Sequence, residues 1–257
     1  ILHMEGLASD GMTPMNLFYS TSPKINQYFQ GNLRIPVFRT AELDDNNDGV
    51  LDRLNVGIAM PLSGKEVIKK ISALFYYDVV LAEKAKYKFD AVSYVDETSP
   101  VGFGTLTVDG NVVVKSDLTL AAGGGYKMPY QYQKLIDVNN LKSSSHADIG
   151  NILSESIARD LSTNFEKNYA YSTAAQLPEL SDPHVDSFFN STIVLRVPKQ
   201  PITYQPGPSE VLKVGWIQYL SFWVITYFFI KEITGFILRN RLLYAFYTTE
   251  APRKKNL

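Results

Sequence analysis

The 257-residue sequence predicts a mainly β protein: an antiparallel β-sandwich-like ectodomain with one short helix, followed by a C-terminal transmembrane helix. Three observations carry that expectation. Short segments rich in Val, Ile, Tyr and Phe alternate apolar and polar residues between turn-forming clusters, which is the period of a half-buried strand. Before the last fifty residues, the four-residue apolar spacing of a helix face runs from Ile149 through Leu153 and Ile157 to Leu161. Finally, Val214 to Ile230 contains no charged residue and is bracketed by Lys213 and Lys231.

Taken in order, residues 1–31 are rich in Met, Ser, Asn and Gly and read as an irregular, extended N-terminal segment. The ectodomain then covers 32–208. Leu33 to Arg39 reads as its first strand, with Pro36 marking an edge or a bend. Leu54 to Met60 alternates cleanly, Val67 to Val80 is dense in β-formers, and Lys86 to Val95 sets Tyr87, Phe89 and Ala91 on one face. Thr105 to Val114 reads as a hairpin turning at Asp109-Gly110, a pair suited to positive φ. Leu118 to Leu120 closes that region before a flexible Gly123–Gly125 turn. Asp148 is placed to cap the helix that follows. Ile193 to Val197 and Ile202 to Tyr204 read as final strands, split by Pro198 and Pro201, and Gln205-Pro-Gly-Pro208 makes a stiff corner. The transmembrane helix spans 212–238, and 239–257 is a basic cytoplasmic tail.

The charge-free run reaches roughly 25 Å at about 1.5 Å per residue, short of a hydrocarbon core of roughly 30 Å. Lys213 and Lys231 extend it by snorkelling, and Trp216 and Tyr219 suit the interface. A buried helix of a soluble domain is the competing reading, but aromatic residues on every face leave no side for water. The overall net charge of -1 conceals an asymmetry. From Lys213 onward seven basic residues face two acidic ones, whereas residues 1–212 carry 18 basic and 24 acidic residues. The basic end belongs in the cytoplasm, which places the acidic region outside. Asn190-Ser191-Thr192 is an acceptor for N-glycosylation, consistent with that side. The absence of cysteine is compatible with it, since a domain of this size can bury a core without disulfides. An ectodomain translocated ahead of its own span needs an earlier signal, so a first membrane helix is expected upstream of Ile1. Nothing here forms a basic field for nucleic acid.

One constellation has metal-ligand spacing. Asp44, Asn46, Asp48 and Asp52 place side-chain oxygens at loop positions 1, 3, 5 and 9, Val50 offers a carbonyl at 7, and Gly49 sits at the sharp turn. Position 12, where a helical calcium loop wants Glu, is Asn55. The segment therefore reads either as a structural Ca²⁺ loop between strands or as an acidic surface turn. No catalytic set emerges. His3, His146 and His184 have no carboxylate or nucleophile at informative spacing, no Gly-x-Ser-x-Gly elbow is present, and zinc finds no cysteine. Neither an enzyme nor a small-molecule substrate is expected. Within the span, Gly215, Gln218 and Ser221 recur every three residues on one side of the helix. They either meet a partner helix or, for Gln218, reach headgroups.

With these pieces assembled, the sequence resembles the transmembrane protein 231 family. The similarity is carried by Gly31-Asn-Leu-Arg34-Ile35-Pro36, by Asp44 to Asp52 with the strand through Pro61-Leu62, by Ile202-Thr-Tyr204-Gln205-Pro206-Gly207, and by Trp216-Ile-Gln218-Tyr219. That resemblance implies a two-pass protein with both ends cytoplasmic. It also implies a place in the ciliary transition zone, beside tectonic-like and B9-domain proteins, in the diffusion barrier that controls ciliary membrane composition and supports cilium assembly. The resulting expectation is a non-enzymatic scaffold subunit held in the bilayer. The alternative is a calcium-dependent, membrane-anchored adhesion or receptor ectodomain.

Overall fold

A computed structural model of the chain describes residues 1–117, 119–122, 134–137, 148–175 and 187–242. It comprises two units, residues 1–205 and 206–257.

The N-terminal segment is not irregular. β1 (Leu2–Leu7) and β2 (Pro14–Tyr19) form an antiparallel hairpin, and β1 also pairs with β5 (Val67–Leu81). Leu2 and Met4 alternate with polar neighbours and are buried, so a strand period was present in a stretch whose composition suggested none. Asp10 organises the turn. Its carboxylate accepts the N–H groups of Met12 and Thr13 and the Thr13 hydroxyl, and those bonds, the hydroxyl's foremost, hold its pKa down at about 2. Gly11 supplies the left-handed residue at φ 71°.

A short helix α1 (Pro23–Asn26) and a 3₁₀ turn (Gln27–Asn32) lead to β3 (Val37–Leu43). That strand starts later than Leu33 because residues 33–34 are bonded elsewhere. Leu33 bridges Phe18, the Arg34 N–H donates to the Phe18 carbonyl at 3.1 Å, and the Arg34 guanidinium pairs with Glu66. β4 (Arg53–Leu62) and β5 lie where their alternation and β-former density predict them.

β6 (Tyr87–Ser116) is the spine of the domain, 30 residues long. Its first half pairs with β5. Its second half lies between β8 (Leu161–Ala174), antiparallel, and β9 (Ser187–Arg196), parallel. β9 in turn pairs with β4, so the path through the sheet runs β2-β1-β5-β6-β9-β4-β3, with β8 off this path against β6. The change of partner happens at Ser99–Gly102. Gly102 has φ 87°, and the Ser99 hydroxyl donates to its carbonyl at 3.1 Å. Such a corner lets one strand serve two layers. The sheet curls until its terminal strands meet: the rings of Tyr19 on β2 and Phe38 on β3 lie 5.4 Å apart.

Inside the curl a single core joins residues of both layers, among them Met4, Ile71, Val95, Met60, Val108 and Ile193, each essentially inaccessible. Burying each such side chain contributes about 1.5–3 kcal/mol. A second cluster covers the opposite face of β5 and β6 with Ile25, Ile136 and Ile152 from α1, residues 134–137 and α2 (Ile149–Ile157). A third gathers Phe89, Leu120 and Leu161, where β7 (Leu120–Ala121) pairs in parallel with β10 (Tyr204–Gln205).

Two expectations are corrected here, and a third, Asp148 at the N-cap, holds in position. Asp109-Gly110 is not a hairpin turn but lies inside β6. The helix ends at Ile157, which is 77% exposed, and Leu161, 1% exposed, begins β8 instead of the helix's last turn. Asp148 occupies the N-cap position without a capping side-chain bond. The expected glycine turn at 123–125 lies outside the described residues.

In the second unit α3 (Pro208–Arg239) is a continuous helix of 32 residues, about 48 Å long, with a mean hydropathy of 1.4 in its most apolar window and no buried residue. The Ser221 and Thr226 hydroxyls each donate to a carbonyl one turn back at 2.9 Å. The helix stops where the Asn240 side chain donates to the Phe236 carbonyl and Arg241 turns left-handed at φ 51°.

Candidate functional site

Among the described residues, none of α3 is buried. Gly215, Gln218 and Ser221 are all exposed along it, and the Ser221 donor is spent on Ile217, leaving that oxygen free only to accept. Trp216 and Tyr219, 6.2 Å apart, form an aromatic pair near one end, and Trp223 stacks on Tyr227 farther along. A helix that is apolar all round, with none of it buried, has its natural solvent in lipid.

The oxygen-rich loop is Asp44–Asp52, between β3 and β4. Its side chains shape their own turn. Asp44 accepts the N–H of Asp48 at 3.2 Å and of Gly49 at 2.8 Å; Asp52 accepts those of Asp45 and Asn46; Asn46 accepts Asp48 N–H at 2.8 Å. Asp48 accepts Val50 N–H at 2.9 Å and meets Lys199 at 3.3 Å, and these contacts, the Val50 bond first among the favourable ones, lower its pKa. Gly49, at φ 80°, makes the sharp turn the spacing calls for. Among the described residues no three acidic or histidine side chains converge on one point as a metal cage. The loop's carboxylates are engaged with its own backbone N–H groups.

Asn190 sits mid-strand on β9, exposed, with Ala59 and Thr105 as its cross-strand neighbours. Thr192, the hydroxyl of the sequon, is exposed two residues on. On the same face, farther along, is a polar hub that sequence reasoning missed. Asp109 is 1% exposed, and Arg196 reaches it with Nε 2.9 Å from both carboxylate oxygens and a terminal nitrogen at 2.8 Å. Asn168, the extra residue of a bulge in β8, donates to it at 3.0 Å. Gly110 is small for packing, because a Cβ there would lie 2.4 Å from the Phe165 ring. The available sequence signal was weak: an Asp inside a run of Val and Thr, with its Arg 87 residues away.

An apolar cleft of about 300 Å³ opens beneath Tyr19 and Phe38, lined by residues including Leu54, Ile58, Phe75 and Tyr77. None of the described side chains lining it is acidic, basic or imidazole. Displaced side-chain pKa values in the domain move away from neutrality: Asp10, Asp48, Glu66 and Asp109 downward, Lys70, Tyr76, Tyr77 and Arg196 upward. Hydrogen bonds and ion pairs lower the carboxylates, the charge of Asp96 leads for Lys70 and the Asp109 bond for Arg196, and burial raises the two tyrosines.

A family model described as transmembrane protein 231 matches residues 3–247. Transmembrane protein 231 of Homo sapiens is 25% identical over 256 residues, covering 96% of this chain and 74% of that protein. The Pongo abelii protein of the same name is 24% identical over 245 residues, with 92% and 72% covered, and the Gallus gallus one is 26% identical over 227 residues, with 88% and 68% covered. No solved structure matches the chain.

Proposed function

This chain belongs to the transmembrane protein 231 family, and from that premise we propose that it is a non-enzymatic membrane scaffold subunit of the ciliary transition zone. In this reading α3 crosses the bilayer, the curled-sheet domain lies outside and the basic end is cytoplasmic. Tectonic-like and B9-domain membrane proteins are its neighbours, and its task is to help build the barrier that controls ciliary membrane composition. The observation that carries the membrane part is α3, a helix of 32 residues with no buried side chain and cations concentrated toward its C-terminal end. What supports the scaffold part is the family.

The alternative, a calcium-dependent receptor or adhesion ectodomain, draws on the Asp44–Asp52 loop. The two readings separate by imaging a tagged full-length protein against a basal-body marker. A scaffold concentrates at the ciliary base and leaves it when neighbouring subunits are depleted. Signal spread over the whole plasma or ciliary membrane supports the receptor, and signal confined to the endoplasmic reticulum overturns both.

A further inference from the structure

We propose that Phe188 is the seat of an N-glycan on Asn190, the first sugar stacking on the exposed ring so that the modification stabilises the sheet. Phe188, Asn190 and Thr192 are spaced two apart on β9, so all three project from one face, and all three are exposed. Phe188 is 51% exposed, although Phe189, next to it on the other face, is 1% exposed and in the core. The strand beside it leaves room: Pro61, Ala59 and Gly57 lie opposite Phe188, Asn190 and Thr192 in register. On the other side Thr105 flanks Asn190 with a small hydroxyl group bonded to Thr173.

The chemistry is that of a sequon with an aromatic platform. The Asn190 Nδ2 displaces the pyrophosphate of a lipid-linked oligosaccharide from C1 of its first N-acetylglucosamine. The C–O bond breaks, the N–C bond forms, and the amide proton leaves to a carboxylate of the transferring enzyme. The Thr192 hydroxyl is the recognition group the transfer requires. The apolar face of the pyranose then covers an aromatic ring that otherwise faces water, and the sugar lies along β9 from Asn190 to Phe188. Such a contact contributes on the scale of other aromatic-face contacts.

The inference rests on the outside placement of the domain proposed above, and its test separates the two. The full-length protein is produced in mammalian cells, and its mobility is compared before and after enzymatic removal of N-glycans. The same is done for Asn190→Gln carrying Gly11→Asn, which creates a second acceptor, with Thr13, in an exposed turn whose left-handed φ of 71° asparagine tolerates. Wild type is expected to shift, and thermal unfolding of the purified protein is expected to drop by about 2–4 °C when the glycan is removed. Phe188→Ala should abolish that difference and change nothing further in the Asn190→Gln background. Modification of the Gly11→Asn reporter without modification of Asn190 overturns the site while leaving the topology standing. No modification at either position overturns the topology. A glycosylated Phe188→Ala protein that keeps the full thermal difference overturns the stacking alone.

Discussion

Arg196 and Asp109 sit on adjacent parallel strands, β9 and β6, and are joined by a forked ion pair with both carboxylate oxygens engaged at 2.9 Å. The two ends are unequally exposed, with the Asp109 side chain 2% accessible and that of Arg196 40%. Removing them should therefore hurt unequally. Arg196→Met leaves a buried carboxylate with Asn168 as its remaining side-chain hydrogen-bond donor among the described residues, and is expected to cost about 3–5 kcal/mol. Asp109→Asn leaves an arginine that water can reach and keeps a polar group for Asn168, so about 1–3 kcal/mol is expected. Denaturant unfolding of both variants checks the order, and equal losses would refute the picture of a buried anion served by a surface cation.

Acid should weaken the domain through the same group. Hydrogen bonds from Arg196 first, and from Asn168, hold the Asp109 carboxyl below its usual range. Burial pushes Glu66 upward, but the bonds from Arg34 and from the Ser63 N–H outweigh it, so its net displacement is also downward. Both folded pKa values lie below those of the unfolded chain. Their stabilisation is complete above the ordinary carboxyl range and disappears as pH falls through the folded values. Denaturant midpoints should be flat from pH 7 to about 5 and decline below about 4. Asp109→Asn should shrink that decline, and a midpoint that rises on acidification contradicts the assignment.

Gly102 makes the corner by which β6 passes from one layer to the other. A Cβ there would fall 2.1 Å from a Val67 methyl, at φ 87°. Gly11 has a similar φ, 71°, with nothing within 4 Å. Gly11→Ala should therefore cost only the left-handed penalty, about 1 kcal/mol, whereas Gly102→Ala adds overpacking and should exceed about 3 kcal/mol. Comparable melting temperatures for the two variants would show that β6 does not depend on its corner.

The Asp44–Asp52 loop is a proposal that calcium itself can decide. A bound ion should raise the melting temperature by roughly 5–10 °C at a concentration a hundredfold above its dissociation constant, relative to chelator. The rise should vanish in Asp44→Ala. Identical curves with and without calcium make the loop an ordinary turn closed by its own carboxylates.

On α3, Gln218→Leu is expected to reduce co-purification with the neighbouring helix that Gly215, Gln218 and Ser221 would face, with α3 still inserted. Unchanged recovery would assign Gln218 to the headgroups. Buried amides between membrane helices are worth about 0.6 kcal/mol on average, so the loss should be partial.

What could be read before folding follows from how local the cause was. β4 and β5 stand where alternation and β-former density placed them, and α3 announced itself by composition. β8 was invisible because most of its residues face water, so it has no apolar period to detect. The i, i+4 series at Ile149 ran one turn too far because Leu161 is apolar for a different reason, its burial from the start of β8. Asp109-Gly110 has the chemistry of a turn. Its extended conformation depends on an arginine from β9 and an asparagine bulge from β8, neither of which lies near it in sequence. The loop and the sequon were legible as patterns, but that Phe188 shares the sequon's face emerged only once β9 had a register.

β9 lies in the middle of the sheet, between β6 and β4, yet it is the last long strand to be made. On a ribosome, the earlier strands emerge first and must wait with the inner edges of β6 and β4 unfilled until residues 187–196 arrive. Residues 197–207 are all that then separate that strand from the start of α3. In the topology proposed above, completion of the domain and entry of the helix into the bilayer are consecutive events. A chain stalled before residue 187 would present two open strand edges to the quality-control machinery of the compartment that receives it.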